Sequence, residues 1–261
     1  MSFYGKRLSG NVFVTGDYHF NHGNIIRYCN RPFRDSREMD GYLIKNTNNL
    51  VKPKDTLICV GDFVFPGRDD PYQAAKKYRE QISCENVYFV WGNHDRRPDQ
   101  DQIMQAFYGL QKIKMPLDHG RRRVDDLGVE ELREIVEELR QVQDFAWSIR
   151  NVGFQKLFKG CYDLFEFEVN GKQAVAGHYA YRVWNKSHHG RLHLYGHSHY
   201  SLPDDPDALS MDVGVDAAAH YLSKDGGATL NKEDYRPLAW NEVLSHMSKK
   251  NFKPIDHHGR E

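Results

Sequence analysis

No uncharged apolar run in this chain approaches the ~18 to 20 residues that a membrane-spanning helix needs, so no membrane partner is expected. The first ten residues carry Lys6 and Arg7 but lead into no apolar stretch with a small-residue cleavage site, and the expected location is the cytoplasm. Cysteine is scarce: Cys29, Cys59, Cys84 and Cys161 stand far apart with no C-x-x-C pair. That spacing argues against a disulfide framework and against a thiolate zinc site, and leaves four core thiols as the expectation. Charge of one sign is missing too, since 36 basic residues balance 36 acidic ones. Affinity for nucleic acid would therefore need a local patch, and nucleic acid is not the favoured partner. With 39% hydrophobic residues and only ten prolines, the 261 residues do not have the composition of a disordered chain, and the length suits one α/β domain with an elaboration.

What the sequence does contain is a recurring event. Short β-branched and aromatic runs stop abruptly at turns that deliver Asp, His or Asn. The run from Asn11 to Gly16 ends in Asp17-x-His19, the run Thr56 to Val60 ends in Gly61-Asp62, and Val87 to Trp91 ends in Gly92-Asn93-His94-Asp95. Between them, helices are expected from Asn24 to Cys29, Arg37 to Val51, and Asp70 to Ile82, the last with Asp70 as cap and Pro71 in the first turn. Alternation of this kind predicts an α/β sheet whose ligands gather at one edge.

After Met115 the pattern gives way to a charged stretch, residues 116–158, read as an insertion carrying one amphipathic helix from Val129 to Ile149. Its apolar stripe requires burial, and a cap over the site or a homodimer contact is expected of it. Strands resume with Tyr162 to Val169, the hairpin signal Asn170-Gly171, and Gln173 to Ala176 leading to Gly177-His178. A further strand from Arg191 to Tyr195 leads to Gly196-His197-x-His199, Met211 to Val215 reads as one more strand, and Ala239 to Lys249 as a closing helix. Two groups of strands on either side of the insertion predict two sheets packed face to face.

Five strand ends thus supply Asp17, His19, Asp62, Asn93, His94, His178, His197 and His199, which are oxygen and imidazole donors only. Such a set suits borderline or hard divalent ions: Mn, Fe, Co, Ni or Zn. Seven ligands, leaving His94 aside, are too many for one ion and suit two that share a bridge, for which Asp62, alone on its strand, is the natural carboxylate. Residues two apart in an extended chain point the same way, so Asp17 with His19, and His197 with His199, can each chelate. Gly16, Gly61, Gly92, Gly177 and Gly196 precede these donors and are expected to make the tight turns.

These five blocks, in this order, resemble the signature of the calcineurin-like metallophosphoesterases, across Val12 to about Asp216 with the insertion omitted. The resemblance implies a four-layer αββα sandwich formed by residues 1–115 and 159–261, with the helical insertion 116–158. It implies one divalent ion held by Asp17, His19, Asp62 and His199 and a second held by Asp62, Asn93, His178 and His197. It leaves His94 as the motif histidine that is no ligand and assists the leaving group. The Asp-Arg-Gly of the Ser/Thr protein phosphatase branch is missing, since Gly61-Asp62 runs on to Phe65-Pro66-Gly67, and the opening resembles a bacterial and phage group of phosphoesterases. The expected activity is hydrolysis of a small, nucleotide-like phosphodiester or phosphomonoester. A metal-binding scaffold without turnover is the alternative, and it predicts gaps in the ligand set that this chain does not have. His22, Asn24 and Arg27 are the candidate substrate contacts. Arg31 and Arg34 are weighed as phosphate binders against a salt-bridged face, with the salt-bridged reading favoured.

Overall fold

The computed structural model describes residues 5–95, 128–130, 133 and 157–255. The chain divides into two units, Met1–Asp95 with Leu157–Glu261, and Arg96–Lys156. Apart from Gly128, Val129, Glu130, Arg133 and its last two residues, the expected insertion lies outside the described residues, and so does most of its amphipathic helix.

The larger unit holds two five-stranded sheets. Strands β1 (Lys6–Leu8), β2 (Val12–Thr15), β3 (Thr56–Val60), β4 (Asn86–Val90) and β5 (Gly160–Tyr162) precede β6 (Leu164–Val169), β7 (Lys172–Gly177), β8 (Leu192–Tyr195), β9 (Ser210–Asp212) and β10 (Leu238–Ala239). One sheet runs β10-β2-β3-β4-β5, parallel except for β10, and the other runs β1-β6-β7-β8-β9, with an antiparallel hairpin between β6 and β7. Helices α1 (Gly23–Tyr28), α2 (Ser36–Leu50), α3 (Pro71–Arg79), α4 (Val215–Leu222) and α5 (Trp240–Met247) flank them. This is the α/β sandwich of two sheets that the strand pattern predicts.

The alternation of side chains in β2 and β3 explains the layering. Val12, Val14, Ile58 and Val60 enter the shared core with Phe165, Phe167, Ala174, Ala176, Leu192 and Leu194 of the other sheet. Leu57 and Cys59 point the opposite way and are just as buried, as a strand covered on both faces requires. Local signals act where expected. Asp70 caps α3 by accepting from the Gln73 N–H at 2.9 Å, with Pro71 in the first turn. Asn170 and Gly171 both take positive φ, 49° and 81°, the twist-compatible hairpin turn.

Three expectations are corrected. The run Tyr162 to Val169 is two strands, because Tyr162 pairs with Val90 in one sheet whereas Leu164 pairs with Gly177 in the other. Alternation slips at Leu164-Phe165, two apolar residues in succession, so the pattern marks a break there but does not name the sheet that each side joins. The strand expected from Met211 to Val215 stops at Asp212, and Gly214 then caps α4. Glycine is required at that cap, because a methyl group at Gly214 would overlap the Asp17 carboxylate. The closing helix runs Trp240–Met247 and not Ala239 to Lys249, and it starts one residue later because Ala239 pairs with Phe13 as part of β10. Strand β1, with Lys6 and Arg7 exposed on the sheet edge, has no apolar alternation to signal it.

Candidate metal centre

The ends of β2, β3, β4, β7 and β8 meet, and backbone hydrogen bonds staple the loops that leave them. The Asp17 N–H donates to Gly61 O at 3.0 Å, the His19 N–H to Asp62 O at 2.9 Å, and the Gly196 N–H to His178 O at 3.0 Å. The tight turns are made differently from the expectation. Of the five glycines that precede donors only Gly61 has positive φ, whereas Asp17 (52°), His19 (51°), Asp62 (51°), His197 (68°) and His199 (47°) take the left-handed conformation themselves. Non-glycine residues there carry local strain that the surrounding structure must hold, and such strain gathers at functional sites. At Gly92 the need is space, since a Cβ would overlap Asp62 Oδ1.

The donors form two groups whose ligand atoms lie within 4.8 Å of one another: Asp17, His19 and His199, and Asp62, His178 and His197. Asp62 joins them. Its Oδ2 lies 3.4 Å from His19 Nε2 and 3.4 Å from His178 Nε2. Its Oδ1 accepts the His94 N–H at 2.8 Å. Asn93 Oδ1 lies 2.9 Å from both His178 Nε2 and His197 Nδ1. His178 Nδ1 faces Val60 O at 3.0 Å, which turns Nε2 toward the donors. The exposed His94 ring stands edge-on to His19, with centroids 5.1 Å apart.

Two features of this cluster fit cations. His19 Nε2 is buried with no hydrogen-bond partner, a costly state for a polar nitrogen unless an electrophile completes it. The carboxylates Asp17, Asp62, Asp212 and Asp216 are buried together, which positive charge in the cluster would relieve. Burial pushes the Asp17 carboxyl up to about 7, an effect that His199 opposes and Asp212 reinforces. Burial holds the His19 imidazole down at about 2, although Asp62 pulls it upward. Burial also acts against the Asp62 carboxylate, but the His178 hydrogen bond and charge outweigh it and bring it to about 2.

A supporting layer was not evident from sequence. Arg31, 3% exposed, donates through Nε and Nη2 to Asp216 at 2.8 and 2.6 Å, through Nη2 to Asp17 O at 2.7 Å and through Nη1 to Tyr18 O at 3.0 Å. Asp216 Oδ2 also accepts from His199 Nδ1 at 2.7 Å, leaving Nε2 for the donor group. Arg31 is therefore salt-bridged and occupied. Asp95 accepts the N–H groups of Asp62, Phe63 and Gly92 at 2.7 to 2.9 Å, and Asp212 accepts from Ser198 Oγ and Tyr200 N. Asp216 stands two residues after Gly214, in the first turn of α4, and a glycine shortly before a carboxylate is the signal that could have found it.

Cysteine departs from the expectation in part. Cys59 and Cys84 are buried thiols, but the half-buried Cys29 lies with His199 and Asp216 in a third group of possible donors. Among the candidate substrate contacts, His22 is buried behind His19, its Nδ1 3.3 Å from His19 Nδ1 and its ring stacked on Phe65 at 4.4 Å. Asn24 and Arg27 are exposed on α1, with the Arg27 guanidinium 5.5 Å from the Tyr28 ring centre. Among the described residues no helix is long and apolar enough to cross a membrane.

An uncharacterised protein of Methanocaldococcus jannaschii, MJ1445, is 40% identical over 96 residues, 36% of this chain and 52% of that protein, so the match spans about half the relative's length. A solved structure, a protein of unknown function, AQ665, from Aquifex aeolicus, has a TM-score of 0.48 at 15% identity and covers 92% of this chain and all of its own. The calcineurin-like phosphoesterase family matches residues 10–201, a span that contains all five donor-bearing strand ends. The chain belongs to the calcineurin-like phosphoesterase family.

Proposed function

We propose that this protein is a metal-dependent phosphoesterase that hydrolyses a small, nucleotide-like phosphodiester or phosphomonoester at the strand-end cluster. In this reading Asp17, His19, Asp62 and His199 hold one divalent ion and Asp62, Asn93, His178 and His197 hold another. The observation that carries it is the single Asp62 oxygen 3.4 Å from the imidazole nitrogens of both donor groups, as a bridging carboxylate requires. Paired divalent ions at such a cluster neutralise phosphoryl charge and acidify water near neutral pH.

The chain's own residues supply the rest. Asn93 contributes a neutral amide oxygen, which limits the negative charge around the donors. His94, exposed and tied by its backbone to Asp62, holds a proton for the departing alkoxide. His22 sets the His19 ring from behind, and Asp216 sets the His199 ring. The test is hydrolysis of bis-p-nitrophenyl phosphate and p-nitrophenyl phosphate by protein loaded with manganese, with chelated protein as control. Metal-dependent turnover of either supports the reading, and two bound ions with no turnover of any phosphoester supports a scaffold instead.

A further inference from the structure

In the Asp62–His178–His197 group Asp62 and His178 are buried, whereas His197 and the neighbouring Tyr179 are exposed. Tyr179 directly follows His178 at the end of β7. Its ring meets His178 at 5.2 Å and 70° and His197 at 4.7 Å and 62°, yet the residue is 46% exposed. Two imidazoles thus meet the ring while nearly half of the residue stays open to solvent. The backbone beneath is anchored as well: the Tyr181 N–H donates to His193 Nε2 at 3.1 Å, and the Tyr181 ring stacks on His193 at 5.1 Å and 26°. A buried tyrosine gives its ring to packing and its hydroxyl to an internal partner. This one keeps aromatic surface open beside the donor group and is already held by two ring contacts, which lowers the ordering cost when a flat group settles on it.

We propose that Tyr179 is a specificity-determining residue, a stacking platform that favours phosphoesters bearing a nucleobase over those with small alkyl groups. The proposal rests on the phosphoesterase reading above. The ester group that stays on a phosphoryl group held at this donor group has room beside His197 and Tyr179, both exposed. Stacking without base-edge hydrogen bonds tolerates any base, so the preference is for a flat heteroaromatic ring and not for one sequence.

The test compares thymidine 5′-(p-nitrophenyl) phosphate with methyl p-nitrophenyl phosphate, two diesters that release the same p-nitrophenol, in manganese-loaded protein. The wild type is expected to have the higher kcat/KM for the nucleoside ester. Tyr179→Ala is expected to lower the ratio of the two kcat/KM values about tenfold, the scale of one lost base stack, mainly through KM, and Tyr179→Trp to restore it. Damage to the donor cluster would lower both rates together and leave the ratio in place, so an unchanged ratio in Tyr179→Ala overturns the proposal. Turnover of both esters with no preference in the wild type overturns it alone. Turnover of neither defeats the phosphoesterase reading and this proposal with it.

Discussion

Arg31 and Asp216, 185 positions apart in the sequence, form a buried two-point ion pair, with Nε and Nη2 at 2.8 and 2.6 Å from the two carboxylate oxygens. Through it the loop carrying Asp17 is tied to the loop carrying His199, because Arg31 also binds Asp17 O and Asp216 also binds His199 Nδ1. A planar guanidinium makes all these bonds at once, and an ammonium cannot.

Arg31→Lys is accordingly expected to loosen His199 and weaken metal retention, and Arg31→Ala to leave the buried Asp216 without its guanidinium, with the His199 imidazole as its remaining partner. The latter should cost about 3 to 5 kcal/mol of stability. Chemical denaturation of the metal-free variants measures the second effect, and metal content after dialysis the first. Unaltered stability in Arg31→Ala would mean that the pair contributes nothing to the fold.

His94 touches the donors only through its backbone and an edge contact with His19. His94→Ala is expected to keep its metal content while turnover falls roughly a hundredfold or more, the scale of general acid catalysis. Steady-state rates beside elemental analysis decide this, and full activity would remove His94 from the reaction.

Gly92→Ala places a methyl group against Asp62 Oδ1. Since Asp62 belongs to both proposed ion sites, this single carbon is expected to reduce bound metal at both, whereas Gly23→Ala, where a Cβ meets nothing within 4 Å, should not. Equal metal content in the two variants would show that the loop yields without displacing Asp62.

His193 lies wholly buried in β8, with Nδ1 donating to Val175 O at 3.1 Å while Nε2 accepts from Tyr181. Burial, outweighing the pull of the Val175 and Tyr179 carbonyls, holds its imidazole at about 4 against an ordinary 6.5. The unfolded chain then binds the proton first, so His193 withdraws stability as pH falls from about 6.5 to about 4, by roughly 3 kcal/mol in all. Denaturation midpoints of the wild type and His193→Gln across that range should show a shallower acid decline in the variant. Parallel curves would contradict the buried neutral state.

How much of this was legible in sequence depends on what each feature imprints on the chain. Donor-bearing strand ends are local, so Asp17, His19, Asp62, Asn93, His94, His178, His197 and His199 could be picked out before any fold was known. Their partners are not local: nothing near Arg31 in the sequence points to Asp216, and nothing near Cys29 points to His199. The hairpin at Asn170-Gly171 and the cap at Asp70 follow from short-range chemistry. The change of sheet at Asp163 follows from which neighbour each half pairs with, and the slip of alternation at Leu164-Phe165 marks a break without naming those neighbours. The glycines were legible as necessary but not why: Gly92 leaves room for a carboxylate, while the donors themselves take the left-handed backbone.

The central claim is that Asp62 is shared by two metal ions. Anomalous diffraction from crystals grown with manganese tests it most directly. Two peaks on either side of the Asp62 carboxylate, about 3.5 to 4 Å apart, are the predicted result. One peak, or two that do not both contact Asp62, would contradict it.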